Sequence, residues 1–256
     1  MPRNARIKSQ TQVYHVMLRG INKQNIFEES EDYEKMLQLL QYCIEKSGME
    51  LYAYCLMTNH FHLLLKEGNE PLAITFRRLG SKFVYWYNAK YERTGHLFQD
   101  RFKSEPVEDD RYFLTVLRYI HLNPIKSGLV KKVTEYPYSS YSAYLSAQAW
   151  FNTQKALSII SKEQFKEFHE TGLEDTCLDI PEEVQRHFTQ EQAKRIMKQV
   201  TKCESISEYQ AFDRKKRNEW ICKLKSKGLS CRQISRLTGE TYYMIQKQSI
   251  KEPSPD

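Results

Sequence analysis

Two short apolar runs separated by only two residues restrict the folds open to this chain. Residues 51–57 (LYAYCLM) and 60–66 (HFHLLLK) read as strands, and Thr58-Asn59 between them is a spacing suited to a tight hairpin. A third strand-like run at 13–19 ends at Gly20. The apolar density of the hairpin favours a central position in a sheet, so we expect strands that pair antiparallel with near neighbours in sequence.

Helical spacing of apolar residues fills the gaps between these runs, and a further strand-like stretch precedes the third helix. Because a proline disfavours helical backbone before it, we expect Pro124 to end that helix. The order β-α-β-β-α-β-α predicts an α+β domain, an antiparallel sheet with helices on its faces, that closes near residue 145. The helical segments are 31–47, 71–87 and 108–123, and the irregular, strand-like stretch is 95–107.

The rest of the chain has helical patterns throughout and changes composition near its end. Residues 146–212 predict a helical connector, and 252–256 predict a disordered tail. Between them, 213–251 carry eleven Lys or Arg against two Glu, with helix, turn, helix patterning that predicts an all-α helix-turn-helix module. Its expected buried face is Ile234, Leu237 and Ile245, which leaves Tyr242, Tyr243, Gln246 and Lys247 exposed on the presumed recognition helix.

Charge and cysteine usage narrow the class of protein. The net charge of +7 favours a polyanionic partner, either nucleic acid or an acidic membrane surface. We find no signal peptide and no apolar window long enough to span a membrane, so we expect a soluble, intracellular protein. Six cysteines without a CxxC pair argue against a zinc ribbon and against a disulfide framework.

A His-Phe-His sequence on the second hairpin strand offers half of a metal site. Residues two apart on a strand project to the same face, so His60 and His62 can converge on one cation while Phe61 packs on the other side. Two histidines at this spacing also occur on many sheets as ordinary hydrogen-bonded residues. The pair alone therefore does not decide between the two interpretations.

The end of the third helix offers the complementary half. Tyr119 and Asn123 are four residues apart and share a helix face, so the phenol can lie beside an amide oxygen that can ligate Mg²⁺ or Mn²⁺. Such an ion could polarise a phosphodiester beside the tyrosine. The alternative interpretation is a packed core tyrosine and a helix stop. We expect packing or DNA contact for His121, and structural roles for His15 and His96.

Four ordered motifs together resemble the REP-associated tyrosine transposases, within the single-tyrosine HUH transposases. They cover about the first 145 residues: Tyr14–Gly20 (YHVMLRG), Met57–Leu63 (MTNHFHL), Gly95–Lys103 (GHLFQDRFK) and Tyr119–Gly128 (YIHLNPIKSG). The resemblance implies the ferredoxin-like or RRM-like HUH endonuclease fold. It also implies a divalent ion on His60 and His62 and a nucleophile at Tyr119. Asn123 stands where related transposases carry Gln, which leaves its role as third ligand less certain.

The reaction implied by the resemblance is transposition of single-stranded, hairpin-forming DNA. Tyr119 would attack a phosphorus, leaving a 5′-phosphotyrosine and a free 3′-OH that later reverses the step. Candidate contacts to DNA are basic and polar side chains, with aromatic neighbours that could stack on bases; the alternative is solvated charges and packed rings. They are Arg19, Asn22, Lys23, Arg77, Arg78, Lys82, Arg93, Arg101 and Lys103, with Tyr85, Trp86 and Tyr91.

Several expectations about partners and alternatives remain. The C-terminal module could hold duplex DNA, or instead a protein partner or RNA. We expect a monomer or homodimer in the prokaryotic cytoplasm, associated with the nucleoid and not with a membrane. A replication or conjugation nickase would use the same chemistry, but such proteins usually carry large further domains, for which 256 residues leave no room. A domesticated DNA-binding regulator that no longer cuts is the non-enzymatic alternative.

Overall fold

The computed structural model describes residues 6–146, 149–178, 188 and 190–248. Contacts divide the chain into two units, Met1–Pro181 and Glu182–Asp256. Among the described residues, every helix is too short or too polar to cross a membrane.

The first unit is built on a four-stranded antiparallel sheet. The strands are β1 (Val13–Arg19), β2 (Glu50–Leu56), β3 (His60–Lys66) and β4 (Lys103–Pro106), in the order β2-β3-β1-β4. The hairpin of β2 and β3 forms as expected, and β1 pairs with β3 on one side and β4 on the other. The predicted α+β class with an antiparallel sheet is confirmed.

Helices cover both faces of this sheet, and strand alternation decides which residues meet them. Helices α1 (Ser30–Ser47) and α2 (Leu72–Lys90) pack over one face, which contains Phe61. Helix α3 (Asp110–Lys126) packs over the other face, where Leu64 and Tyr119 share a core. Neighbouring residues on β3 therefore belong to different layers.

Pro124 does not end α3, contrary to the expectation from the sequence. The helix continues to Lys126, with Pro124 inside it. Proline lacks the N–H that would bond one turn back, but its fixed φ suits a helix, and so near the end only one hydrogen bond is lost. The Leu129 N–H closes the last turn by donating to the Pro124 carbonyl at 2.9 Å.

Three short helices follow and pack into the first unit: α4 (Tyr141–Leu145), α5 (Gln154–Leu157) and α6 (Lys162–Glu170). Ala156 and Phe165 are fully buried in the same core as Tyr144 and α3. The segment expected as a connector, 146–212, is thus divided between the two units, because its first apolar residues complete the core beside α3.

The second unit is helical. Its helices are α7 (Gln190–Thr201), α8 (Ile206–Gln210), α9 (Arg214–Ser226), α10 (Cys231–Thr238) and α11 (Tyr242–Lys247). Ile234 and Ile245 are fully buried and Leu237 is partly buried, as the pattern predicts. Gly239, at φ +73°, ends α10. The helix-turn-helix module itself stays a prediction, and residues 249–256, including the expected tail, lie outside the described residues.

Candidate active site

The hairpin turn before β3 is held by backbone hydrogen bonds to the end of β1. The Gly20 N–H donates to the Asn59 carbonyl at 2.8 Å, and the N–H groups of Ile26 and Phe27 both donate to the Thr58 carbonyl. A Cβ on Gly20 would lie 2.3 Å from the Gln24 carbonyl oxygen, so only glycine fits this approach. The turn fixes where β3 begins, and β3 begins at His60.

His60 and His62 project from β3 toward the α3 layer. Their ring centroids are 5.0 Å apart at an interplanar angle of 86°, and both side chains are buried. His60 Nδ1 lies 2.6 Å from Asn59 Oδ1. Because an amide oxygen only accepts, His60 donates through Nδ1, which puts the lone pair of the neutral ring on Nε2. In this tautomer Nε2 is the ring nitrogen that has the chemistry of a metal ligand.

His62 has one nitrogen in a hydrogen bond and one without a partner. Its Nδ1 lies 2.9 Å from His15 Nε2, whereas its Nε2 is buried with no hydrogen-bond partner. Burial lowers the pKa of His62 well below its ordinary value, and the charges of His60 and His15 lower it further. A neutral imidazole with a buried, unpartnered nitrogen is costly in a folded protein unless a ligand takes that nitrogen.

Helix α3 brings Tyr119 and Asn123 to the same place. The Tyr119 ring centroid is 5.7 Å from that of His62 and 5.8 Å from that of His15, and Lys126 Nζ lies 4.5 Å from its centre on the same helix face. Asn123 Nδ2 donates to the Tyr119 carbonyl at 3.1 Å, which leaves Oδ1 as the atom able to accept or ligate. The histidines and the tyrosine thus meet within one chain.

The residues present fit a hard divalent ion with an open coordination sphere. Within the described part of the chain, no group of three or more His, Cys, Asp or Glu side chains could hold a metal by itself. An ion on His60 and His62 would therefore need further oxygen ligands, of which Asn123 Oδ1, water and a phosphate oxygen are the available kinds. Mixed nitrogen and oxygen coordination of this kind is compatible with Mn²⁺ or Mg²⁺.

His15 contacts His62 and faces Glu105, an arrangement that sequence reasoning did not single out. His15 and Glu105 are direct cross-strand partners in the pairing of β1 with β4, and His15 Nδ1 lies 3.7 Å from Glu105 Oε2. The contact with His15 lowers the pKa of the Glu105 carboxyl, and the Tyr112 hydroxyl and the Leu178 amide act in the same direction. The signal that could have found them is the pairing of two strands about 90 residues apart, which no local pattern reveals.

Two of the predicted DNA contacts lie on the same sheet face. Arg19 is the cross-strand partner of His60, and its side chain is 6% exposed, with Nε in no hydrogen bond. Among the described residues it forms no ion pair. Lys103, the partner of Met17 on β4, is exposed. A buried guanidinium without a carboxylate is an anion-binding group placed next to the histidines.

The remaining predicted contacts lie elsewhere in the molecule. Arg77, Arg78 and Lys82 are on α2, which packs over the opposite face of the sheet, and Arg78 is paired with Glu70 at 2.8 Å. Trp86 and Tyr91 pack against the core, so they are not free to stack. Lys23 and Arg93 are half-buried. The exposed candidates are Asn22, Tyr85, Arg101, and on α11 Tyr242, Tyr243, Gln246 and Lys247.

His121 lies on the other side of α3, where its ring is fully buried; of the two roles expected for it, packing or DNA contact, this position favours packing. Its Nδ1 is 2.9 Å from His169 Nε2 and its Nε2 is 2.7 Å from Ser140 Oγ. His169 Nδ1 is in turn 2.7 Å from the Phe165 carbonyl oxygen, so it donates there. Both rings are buried and every ring nitrogen has a partner.

Part of the first unit is similar in sequence to known proteins. Residues 8–123 match the family described as Transposase IS200 like. A REP-associated tyrosine transposase of Haemophilus influenzae is 30% identical over 117 residues, which cover 41% of this chain and 66% of that protein. The Escherichia coli K12 REP-associated tyrosine transposase is 26% identical over 110 residues, covering 41% and 64%. The chain therefore matches just under two thirds of the length of each relative.

A solved structure shares the fold. It is a REP-associated tyrosine transposase bound to a REP hairpin, with a TM-score of 0.51 and 17% identity, covering 57% of this chain and 87% of that one. At this identity the likeness concerns the fold alone.

Proposed function

We propose that the chain is a DNA transposase of the IS200-like family, because residues 8–123 match that family and the relatives that it resembles are REP-associated tyrosine transposases. Its reaction is the cleavage and rejoining of single-stranded, hairpin-forming DNA through Tyr119. One observation carries the proposal: Tyr119, His60 and His62 meet on one sheet face, with His62 Nε2 buried and unpartnered.

Tyr119 is the nucleophile in this proposal. A bond forms from its Oη to phosphorus while the bond from phosphorus to the 3′ oxygen breaks. The phenol loses its proton and the 3′ oxygen gains one, which leaves a 5′-phosphotyrosine and a free 3′-OH. Attack by that 3′-OH on the phosphotyrosine of a second end reverses the step and restores the phenol, so the strand is rejoined with no external energy source.

His60 and His62 would hold a divalent ion through their Nε2 atoms, with Asn123 Oδ1 as third ligand. When bound, Mg²⁺ or Mn²⁺ supplies Lewis-acid polarisation of the phosphodiester. Arg19 and Lys103, on the same face, would neutralise phosphate oxygens and orient the strand. Because all of these groups come from one chain, a monomer would carry a complete site.

The DNA partner is proposed from the fold relative and from the charge of the chain. That relative is described as bound to a REP hairpin, and this chain carries a net charge of +7. The second unit would provide a separate surface for binding duplex DNA, since the short helix α11 exposes Tyr242, Tyr243, Gln246 and Lys247.

Replacing Lys247 by Gln should then weaken duplex binding without changing cleavage of a bare single strand.

The test is cleavage of a labelled hairpin oligonucleotide with Mn²⁺ by the intact chain and by Tyr119→Phe. The intact chain should cut and form an adduct that survives denaturing electrophoresis, and Tyr119→Phe should do neither, because it lacks the hydroxyl that bonds to phosphorus. The matched control is Tyr42→Phe, which removes an exposed hydroxyl from α1.

Two outcomes would contradict the proposal. Full cleavage by Tyr119→Phe would assign the chemistry to another group. Binding of the hairpin without cleavage by the intact chain, under any divalent ion, would favour the non-cutting regulator instead.

A further inference from the structure

Behind His62, away from the proposed metal position, a line of groups runs across three strands. His62 on β3 contacts His15 on β1 at 2.9 Å, and His15 faces Glu105 on β4 at 3.7 Å. His62 and His15 are fully buried, and the Glu105 side chain is 35% exposed. The order of the line is therefore carboxylate, imidazole, imidazole, and then the unpartnered Nε2 of His62.

The direction of the hydrogen bond between His15 and His62 follows from the groups at the two ends of the line, the Glu105 carboxylate and His62 Nε2. If His15 donated to His62 Nδ1, the proton of neutral His62 would sit on Nε2, a buried nitrogen with no acceptor, and the lone pair of His15 would face a carboxylate. If His62 donates instead, His15 accepts at Nε2 and carries its own proton on Nδ1, toward Glu105. The second direction turns the His15 proton toward the carboxylate 3.7 Å away and leaves a lone pair on His62 Nε2, whereas the first buries an N–H without an acceptor and turns a lone pair toward the carboxylate.

We propose that His15 and Glu105 are positioning residues that hold His62 in the tautomer with its proton on Nδ1 and its Nε2 lone pair aimed at the metal. This inference rests on the proposed function of the site. A carboxylate that orients a metal-binding histidine is a general device for fixing the ring and raising its basicity. Here an additional imidazole transmits the effect, because β1 lies between the strand of the carboxylate and the strand of the ligand.

Glu105 is itself held in place, as a group that sets a tautomer must be. The Leu178 N–H donates to Glu105 Oε2 at 3.1 Å, and the Tyr112 hydroxyl lies close enough to lower the pKa of the carboxyl. Both stabilise the charged carboxylate. The carboxylate can then favour the protonated nitrogen of His15 without taking up the proton itself.

The decisive measurement is made on the metal-free protein at neutral pH. Nitrogen-15 NMR of histidine-labelled protein distinguishes the protonated from the unprotonated nitrogen of each neutral ring, and the His62 signals are assigned by their loss in His62→Asn. We expect His62 to carry its proton on Nδ1 in the wild type and to become a mixture of tautomers in His15→Leu. A wild-type His62 protonated on Nε2 would overturn the proposal, whether or not any variant folds.

Metal affinity gives the second readout, by calorimetric titration with Mn²⁺. Loss of an outer group that orients a metal ligand typically weakens binding by about 10–100-fold, and we expect that for His15→Leu. His15→Gln should recover most of the affinity, because its amide oxygen can accept from His62 Nδ1. Glu105→Gln should weaken binding by a smaller factor, since its amide can still present an oxygen to His15.

The matched control is Glu108→Gln, a carboxylate three residues further on that contacts the N-terminal residues Ser9, Gln10 and Thr11 instead of His15. It should bind Mn²⁺ as the wild type does. Equal affinity in wild type, His15→Leu and Glu105→Gln would contradict the proposal. Failure of the intact chain to cleave DNA would instead count against the proposed function, because the tautomer is read without metal or DNA.

Discussion

A buried pair of histidines lies on each side of α3, and the two pairs differ in whether the outer ring nitrogens have hydrogen-bond partners. On one face His15 and His62 are 2.9 Å apart, and on the other His121 and His169 are also 2.9 Å apart. The second pair ends at Ser140 and at the Phe165 carbonyl, so every nitrogen is satisfied. The first pair ends at His62 Nε2, which has no partner.

Each histidine pair also has an arginine nearby, and the two arginines differ in whether they have a carboxylate partner. Arg118 lies beside His169 and makes a bidentate pair with Asp175 at 2.7 and 3.1 Å, with its guanidinium over the Phe168 ring. Arg19 lies across from His60, is buried, and among the described residues has no carboxylate partner. Arg118 is neutralised within the fold, whereas Arg19 is the cation to which our proposal assigns a phosphate of the DNA.

The comparison teaches that residue type alone does not identify a functional histidine. Both pairs are buried and both contain neutral rings, because burial lowers the pKa of His62 and of His121 well below the ordinary value. The two pairs differ in whether every ring nitrogen has a hydrogen-bond partner: we call the network of His121 and His169 closed and that of His15 and His62 open. A closed network stabilises the fold, whereas an open one leaves binding energy available for a ligand.

The largest expected effect separates the two pairs by activity. His62→Ala should remove Mn²⁺ binding and lower the cleavage rate by about 10³-fold or more, because metal polarisation contributes several kcal/mol. His121→Ala should retain the cleavage rate and lower the free energy of unfolding by roughly 2–4 kcal/mol, since it opens a cavity and leaves His169 and Ser140 without a partner. Single-turnover cleavage and urea denaturation of the same preparations measure both.

Either of two results would contradict this assignment of one pair to catalysis and the other to stability. A His121→Ala protein that stays folded yet does not cut would place the closed pair in the chemistry. A His62→Ala protein that cuts normally would remove the open pair from it.

The two arginines predict opposite effects on stability. Arg19→Met should weaken cleavage by about 10–100-fold while leaving the free energy of unfolding unchanged or raised, because it removes a buried charge that lacks a counter-ion. Arg118→Met should leave cleavage unchanged and lower the free energy of unfolding by roughly 1–3 kcal/mol, because Asp175 loses its partner. Denaturation midpoints measured beside cleavage rates test the pair, and destabilisation by Arg19→Met would show that Arg19 serves the fold.

The parts of the site that could be predicted from sequence are those set by local geometry. The alternation of a strand placed His60 and His62 on one face and Phe61 on the other, and the turn of a helix placed Tyr119 beside Asn123. The β2–β3 hairpin followed from its short connection. Each of these inferences uses residues at most a few positions apart, so no knowledge of the tertiary fold is needed.

Other features depend on the tertiary fold or on an exception to a local rule. Nothing near His15 in sequence shows that β1 lies between β3 and β4, which puts His15 opposite Glu105. Arg78 looked like a free cation until the fold brought Glu70 to it. Pro124 was expected to end α3 because a general rule about proline ignores how few hydrogen bonds remain near a helix end.

Acid should destabilise the closed pair. Burial lowers the pKa of His169 to about 4, whereas the unfolded chain holds it near the ordinary value of 6.5. The unfolded state therefore binds more protons between these values, so this contribution to stability is complete above pH 6.5 and is lost as the pH falls toward 4. For this one group the loss between pH 6.5 and 5 is on the order of 2 kcal/mol.

Urea denaturation at several pH values checks this prediction. His169→Gln should show a shallower fall in the free energy of unfolding over that range than the wild type, and the exposed control His96→Gln should follow the wild type. Identical slopes for His169→Gln and wild type would mean that the closed pair does not remain neutral in the folded state.

The smallest expected effect is the loss in free energy of unfolding when a buried imidazole nitrogen has no hydrogen-bond partner. Ser140 Oγ contacts His121 Nε2 at 2.7 Å, but it also accepts from the Tyr54 N–H at 2.9 Å and lies 3.1 Å from the Tyr54 carbonyl oxygen, so Ser140→Ala alone would combine several losses. A double-mutant cycle with His121→Phe isolates the first, and we expect a coupling of about 1 kcal/mol from urea denaturation. The same cycle with the exposed Ser158→Ala should give none. A coupling energy near zero for Ser140 would mean that an unpartnered imidazole nitrogen costs little, and it would no longer be a sign of function. A clear coupling energy would give the cost of leaving such a nitrogen unpartnered, which is the minimum free energy that a metal bound to His62 should contribute to stability.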